Sequence, residues 1–160
     1  MARLMEQLLR RFAAPQQPRP LESYVDLVDD ALANLGIDAE LESGEEGWSW
    51  GLQVGSAELT IELHLNEILQ EWTLEIRSAI LRLPDSNLLA FYRRCLELNR
   101  LLVGCSIGVD QDRVVVASER TLPELDTPGF MRMLLNVASA ADQCDDDLAE
   151  EFGARKLGQA

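Results

Sequence analysis

The sequence predicts an α+β domain: a mostly antiparallel sheet of about five strands flanked by helices, in the order α-β-β-β-α-β-β-α, with one extra amphipathic helix in front. Three observations lead there. Several segments alternate apolar and polar residues, as half-buried strands do, and the turns between them are too short for a crossover helix. Other segments repeat apolar residues every three or four positions, the helical spacing. Glycines and prolines fall at the joints between the two kinds. A length of 160 residues fits one domain, and 47% hydrophobic with 26% charged residues is a globular composition able to hold a core.

The chain opens with Leu4, Met5, Leu8, Leu9 and Phe12 on one helical face and Arg3, Arg10 and Arg11 beside it, a short basic amphipathic helix over residues 1–14. Pro15, Pro18 and Pro20 make residues 15–20 an extended linker, so this helix is tethered and is expected to dock in trans, on a partner or a neighbouring subunit. The first twenty residues carry +3, which leaves −17 of the total charge of −14 on the remainder. The domain proper spans 21–153. Pro20 suits a first helical turn, Val25, Val28, Leu32 and Leu35 form the stripe behind it, and Gly36 closes it with Ile37 folding back. A weaker alternation at 38–43 marks one further strand.

Trp48, Trp50, Leu52 and Val54 share one face of a strand, Leu59, Ile61, Leu63 and Leu65 one face of the next, and Gly55-Ser56 is the hairpin turn. Trp72, Leu74 and Ile76 alternate in a third strand that loses its pattern before Pro84. Leu88, Phe91, Cys95, Leu98 and Leu102 define a central helix, capped by Asp85 or Ser86 and followed by Gly104. A second hairpin turns at Asp110-Gln111-Asp112, between Cys105, Ile107 and Val109 and the β-branched run from Arg113. Thr127-Pro128 starts the last helix, whose stripe is Phe130, Leu134, Val137, Ala141, Cys144, Leu148 and Phe152; Gly153 ends it, and 154–160 reads as a flexible tail.

Composition narrows the function classes. A charge of −14 and a pI near 4.4 repel phosphate backbones, so no nucleic-acid partner is expected. No apolar run approaches the roughly 20 residues of a membrane span, and Glu6, Gln7, Arg10 and Arg11 interrupt any secretory signal. Cys95, Cys105 and Cys144 have no C-x-x-C spacing and read as reduced thiols of a cytoplasmic protein. His64, the sole histidine, reads as a half-exposed strand residue rather than a general base. Asp142, Asp145, Asp146 and Asp147 lack calcium-loop geometry and read as a solvated helix face, and Glu45-Glu46 and Glu150-Glu151 are too ordinary in so acidic a chain to be an acid–base pair. Glycine spacing makes no phosphate loop. No enzyme activity, metal or cofactor is expected.

The stretch from Leu89 to Gly104 with its Leu98-Asn99 pair, Leu122-Pro123 before the last helix, and the ending Ala141-Asp142…Asp147-Leu148…Phe152-Gly153 resemble the YbjN family, which shares the type III secretion chaperone-like fold. The resemblance covers residues 21–152 in topology and the part from Leu88 onward in motif. It implies a small acidic bacterial homodimer that holds an extended client segment across apolar patches on its sheet, with no catalytic residue. Asn99 and Asp142 fall on motif positions and are expected to order the fold. The alternative it implies is a small-ligand-binding sensory or regulatory module, which would need an enclosed pocket where an adaptor needs an open groove.

Two sites follow as expectations. Tryptophans on alternating strand positions are more often core than platform. Even so, the strand segment from 48 to 72 should be the partner-binding region, with Trp48, Trp50 and Trp72 as its candidate residues for a protein or peptide client. Leu89, Tyr92, Leu96 and Leu101 lie off the stripe of the central helix and would form a homodimer interface.

Overall fold

The computed structural model describes residues 19–44 and 47–157. The expected helix over 1–14, most of the proline linker and the end of the tail lie outside the described residues. Helix α1 runs Glu22–Leu35, strands β1 to β4 are Ala39–Gly44, Gly47–Val54, Ala57–Asn66 and Glu71–Arg82, and helix α2 is Leu88–Asn99. Strands β5 (Ser106–Asp110) and β6 (Arg113–Thr121), a 3-10 turn at Leu122–Glu124 and helix α3 (Thr127–Phe152) complete the order. The sheet has six strands in the order β1-β2-β3-β4-β6-β5, every neighbouring pair antiparallel. The sixth strand, beyond the five of the expected order, is β1, where the weaker alternation at 38–43 lies. Its burial pattern is almost wholly exposed because it is the sheet edge, and so its periodicity in sequence is faint.

Register fixes which side chains meet the helices. Trp50 stands opposite Ile61, which stands opposite Ile76; Trp48, Leu63 and Leu74 form the next such row. These rows face α1 and α3, whose buried residues are Tyr24, Val28, Ala31 and Leu32, and Phe130, Leu134, Val137, Ala141, Cys144 and Leu148 among others. The stripe on α1 is therefore rotated from the expected one, and Leu35 is exposed. A register slip between Ala79 and Leu81 lets the consecutive residues Ile80 and Leu81 both be buried, which is why alternation fades before Pro84. Gly47, at φ 138°, is required at the start of β2, since a Cβ there would lie 2.0 Å from the Leu63 carbonyl oxygen.

Three boundaries differ from expectation. Helix α2 starts after Asn87, at φ 57°, with no side-chain cap from Asp85 or Ser86. It ends at Asn99 rather than Leu102, because the Asn99 amide leaves the helix to clamp a neighbouring strand: Nδ2 donates to the Ile107 carbonyl at 3.1 Å, and Oδ1 accepts from the Ile107 N–H at 2.7 Å. The expected flexible tail begins with an ordered return past Gly153. The Arg82 N–H donates to the Arg155 carbonyl at 2.9 Å and the Leu157 N–H to the Ile80 carbonyl at 3.0 Å, and Lys156 pairs with Asp145 and Asp146. The cap of α3 is the Asp126 carboxylate, which accepts from the Gly129 N–H at 2.7 Å, with Pro128 in the first turn.

Candidate functional site

The three tryptophans divide. Trp50 is 1% exposed, and its indole N–H donates to the Asp29 carboxylate on α1 at 2.8 Å. It is a core residue with a satisfied polar tip, which corrects its assignment to partner binding: no partner reaches a side chain sealed between sheet and helix. Trp48 and Trp72 lie on the same sheet face one and two rows further out, half-buried, with ring centroids 6.1 Å apart and planes at 52°.

Around that pair the sheet end stays apolar. Leu65 stands opposite Trp72 and is exposed. Beyond it the β3–β4 connection presents Ile68 at 92% and Leu69 at 56% exposure, held outward because the Asn66 side chain accepts from both of their N–H groups at 3.0 and 3.1 Å. Leu65, Ile68 and Leu69 were not singled out from the sequence. The signal was there, for two large aliphatics in a tight polar turn have no core within reach. Beside the patch, a trough of about 310 Å³, open to solvent, runs along the end of β1, the start of β2 and β3 and is lined by Glu42, Trp48, Glu62 and His64 among others. Strand β1 borders it, its outer edge unpaired among the described residues.

A second apolar surface lies on α2. Leu89, Leu96 and Leu101 are 85%, 68% and 74% exposed, and Tyr92 is partly so. Exposed Val103 and Leu135 add to the apolar area near the end of α2. Arg93 and Arg94 on α2 and Arg100 just after it lie beside this surface; Arg93 pairs with Glu97 and Arg94 with Glu151, each at 3.0 Å.

On the sheet face away from the helices, Glu62, Glu75 and Glu119 stand in register across β3, β4 and β6. Burial pushes the Glu75 carboxyl above its ordinary value; Arg77 opposes the shift and the flanking glutamates add to it. Arg77 pairs with Glu62 at 2.7 Å, and His64 Nε2 lies 3.8 Å from Glu119. Nothing in the row is set up as a nucleophile with its base. Among the described residues no His, Cys, Asp and Glu cluster could hold a metal ion. The cysteines are free, and burial, reinforced by Asp147, pushes the Cys144 thiol up to about 11, so it is inert as a nucleophile at neutral pH. Asp142, on a motif position, accepts the Ser56 hydroxyl at 2.6 Å and ties α3 to the β2–β3 turn.

Residues 24–150 match the family model YbjN, described as "Putative bacterial sensory transduction regulator". The chain belongs to the YbjN family. Solved structures similar to this YbjN chain include a chain of the HopA1–SchA chaperone–effector complex, 15% identical, with a TM-score of 0.56 over 81% of this chain and 99% of that one. A chain of the ExsC–ExsE complex is 16% identical, with a TM-score of 0.63 over 82% and 97%. An uncharacterized protein from Methanothermobacter thermautotrophicus is 12% identical, with a TM-score of 0.57 over 80% and 98%. At these identities the likeness is one of fold. No curated protein has a significantly similar sequence. Candidate membrane spans are absent among the described residues: no helix is long and apolar enough to cross a bilayer.

Proposed function

We propose that this YbjN protein is a non-enzymatic adaptor that holds an extended segment of a client protein at the Trp48–Trp72 end of its sheet. One observation carries the reading: a patch of two tryptophans and three exposed aliphatics sits beside β1, the edge strand of the sheet among the described residues. An extended peptide entering there gains main-chain hydrogen bonds from β1 and apolar contacts from the patch, which together supply affinity and side-chain selectivity. The likeness in fold to a chain of the HopA1–SchA chaperone–effector complex and to a chain of the ExsC–ExsE complex supports the same reading. The α2 surface is separate, and on this reading it is where two copies meet in a cytoplasmic homodimer through Leu89, Tyr92, Leu96 and Leu101. A small-ligand sensory module is the second reading, supported by the family's description; the open trough at Trp48 suits a peptide better than an enclosed metabolite.

The test is affinity capture from the native lysate with the full chain and with the double substitution Trp48→Ala/Trp72→Ala, followed by mass spectrometry. The proposal expects proteins retained by the wild type and lost by the variant, with circular dichroism and melting showing the variant folded. Equal capture by both would overturn the assignment of the client site.

A further inference from the structure

Charge is distributed unevenly along the chain. From Leu21 to Ile76 there is no lysine or arginine, while fourteen of the 28 carboxylates fall in that stretch; the next cation is Arg77. This stretch builds α1 and β1 to β3 and brings in the first half of β4, so the Trp48–Trp72 end of the sheet is rich in carboxylates, with Arg120 of β6, opposite Leu74, as the cation that the neighbouring strand brings to the same end. Glu22 and Asp26 on α1, Glu67 in the β3–β4 connection and Glu71 at the start of β4 are all exposed there. The other large apolar surface, on α2, has Arg93, Arg94 and Arg100 beside it, with Glu97 and Glu151 paired to the first two.

The path of the chain points the same way. Helix α1 ends at Gly36 and feeds β1, whose first residue Ala39 stands opposite Leu52. Halfway back along α1, Asp29 receives the Trp50 indole, one step nearer the Trp48 end. The N-terminus of α1, and Leu21 before it, thus point toward the end of the sheet that holds Trp48 and Trp72. Residues 1–14 join the domain there, through a linker that reaches about 3.1 Å per residue when extended.

We propose that residues 1–14 dock within their own chain on the patch formed by Trp48, Leu65, Trp72, Ile68 and Leu69. The Leu4, Met5, Leu8, Leu9 and Phe12 stripe covers the apolar surface, and Arg3, Arg10 and Arg11 meet the surrounding carboxylates. The α2 surface has Arg93, Arg94 and Arg100 beside it, two of them paired with Glu97 and Glu151, so the carboxylate-rich sheet end is the better match for the segment's arginines. Docking in cis differs from the trans docking the sequence suggests. It follows from the short tether, which holds the segment at an effective concentration in the millimolar range. Its consequence, that a client must displace this segment, rests on the function proposed above; the docking itself does not.

The test uses the full chain with Phe12 replaced by p-benzoylphenylalanine, irradiated as an equal mixture of ¹⁴N- and ¹⁵N-labelled protein and mapped by mass spectrometry. The expected result is an intrachain adduct on Trp48, Trp72 or the 65–71 segment, reduced at least fivefold by Leu8→Asp/Leu9→Asp and by 0.5 M NaCl. An adduct on α2 would overturn the choice of surface. Mixed-isotope adducts would show docking on a second copy and overturn docking in cis. An absence of adducts would overturn the proposal altogether. Because no client is present, failure of the client reading would leave these outcomes unchanged.

Discussion

Replacing Asn99 with alanine removes two hydrogen bonds at once, and both fall on one residue. Ile107 is buried, its N–H and C=O are held by the Asn99 amide at 2.7 and 3.1 Å, and it stands opposite Val116 on the outermost strand pair. A lost hydrogen bond is worth about 1 kcal/mol net, and an orphaned buried group costs about 1–3 kcal/mol, so the substitution should destabilise by roughly 2–4 kcal/mol. In a domain of this size that lowers Tm by about 5–15 °C. Urea titration at fixed m reads the loss, and hydrogen exchange at the Ile107 amide localises it. Asn99→Asp gives a sharper test. One oxygen still accepts from the Ile107 N–H, but the other, when ionised, faces the Ile107 carbonyl, so the folded state raises the pKa of the introduced carboxyl. A raised folded pKa means that the deficit is present at neutral pH and shrinks as pH falls through that pKa, where the protonated oxygen donates again. A loss below about 0.5 kcal/mol for Asn99→Ala, or a deficit in Asn99→Asp that grows on acidification, would refute the clamp as the reason this position carries asparagine.

Trp50→Ala should cost about 3–5 kcal/mol, whereas Trp72→Ala should cost much less, so chemical denaturation separates the core indole from the surface one. Glu75→Gln should stabilise the protein at neutral pH: the raised Glu75 pKa makes its stability contribution complete in acid and lost as pH rises through the folded value, and a melting series from pH 4 to 8 should be flatter in the variant. Leu96→Glu should convert a species of about twice 17.9 kDa into the monomer in sedimentation equilibrium, and a wild-type monomer at micromolar concentration would remove the α2 surface as a dimer interface.

The helices and the two hairpins were legible because apolar period and punctuation agree in them: Thr127-Pro128 and Gly153 bracket α3, and the Trp48–Leu65 alternation survives as the inner sheet face. What was not legible depends on partners distant in sequence. The alternation from Trp48 to Val54 gives Trp48 and Trp50 the same face, and only the position of α1 buries Trp50 while leaving Trp48 at the margin. The early end of α2 depends on a strand that Asn99 meets eight residues later. Likewise, residues 154–157 carry no strand signature, and it is the exposed end of β4 that captures them. The site was half legible: the aromatic pair could be read, but Ile68 and Leu69 looked like part of a turn.

The most direct measurement of the central claim is hydrogen–deuterium exchange on the full chain, free and bound to a client obtained by capture. The account predicts new protection in the β1 amides of Ala39–Gly44 and in the 65–72 segment around Trp72, with α2 unchanged. Protection confined to α2, or spread evenly through the core with none at β1 and the β3–β4 connection, would contradict it.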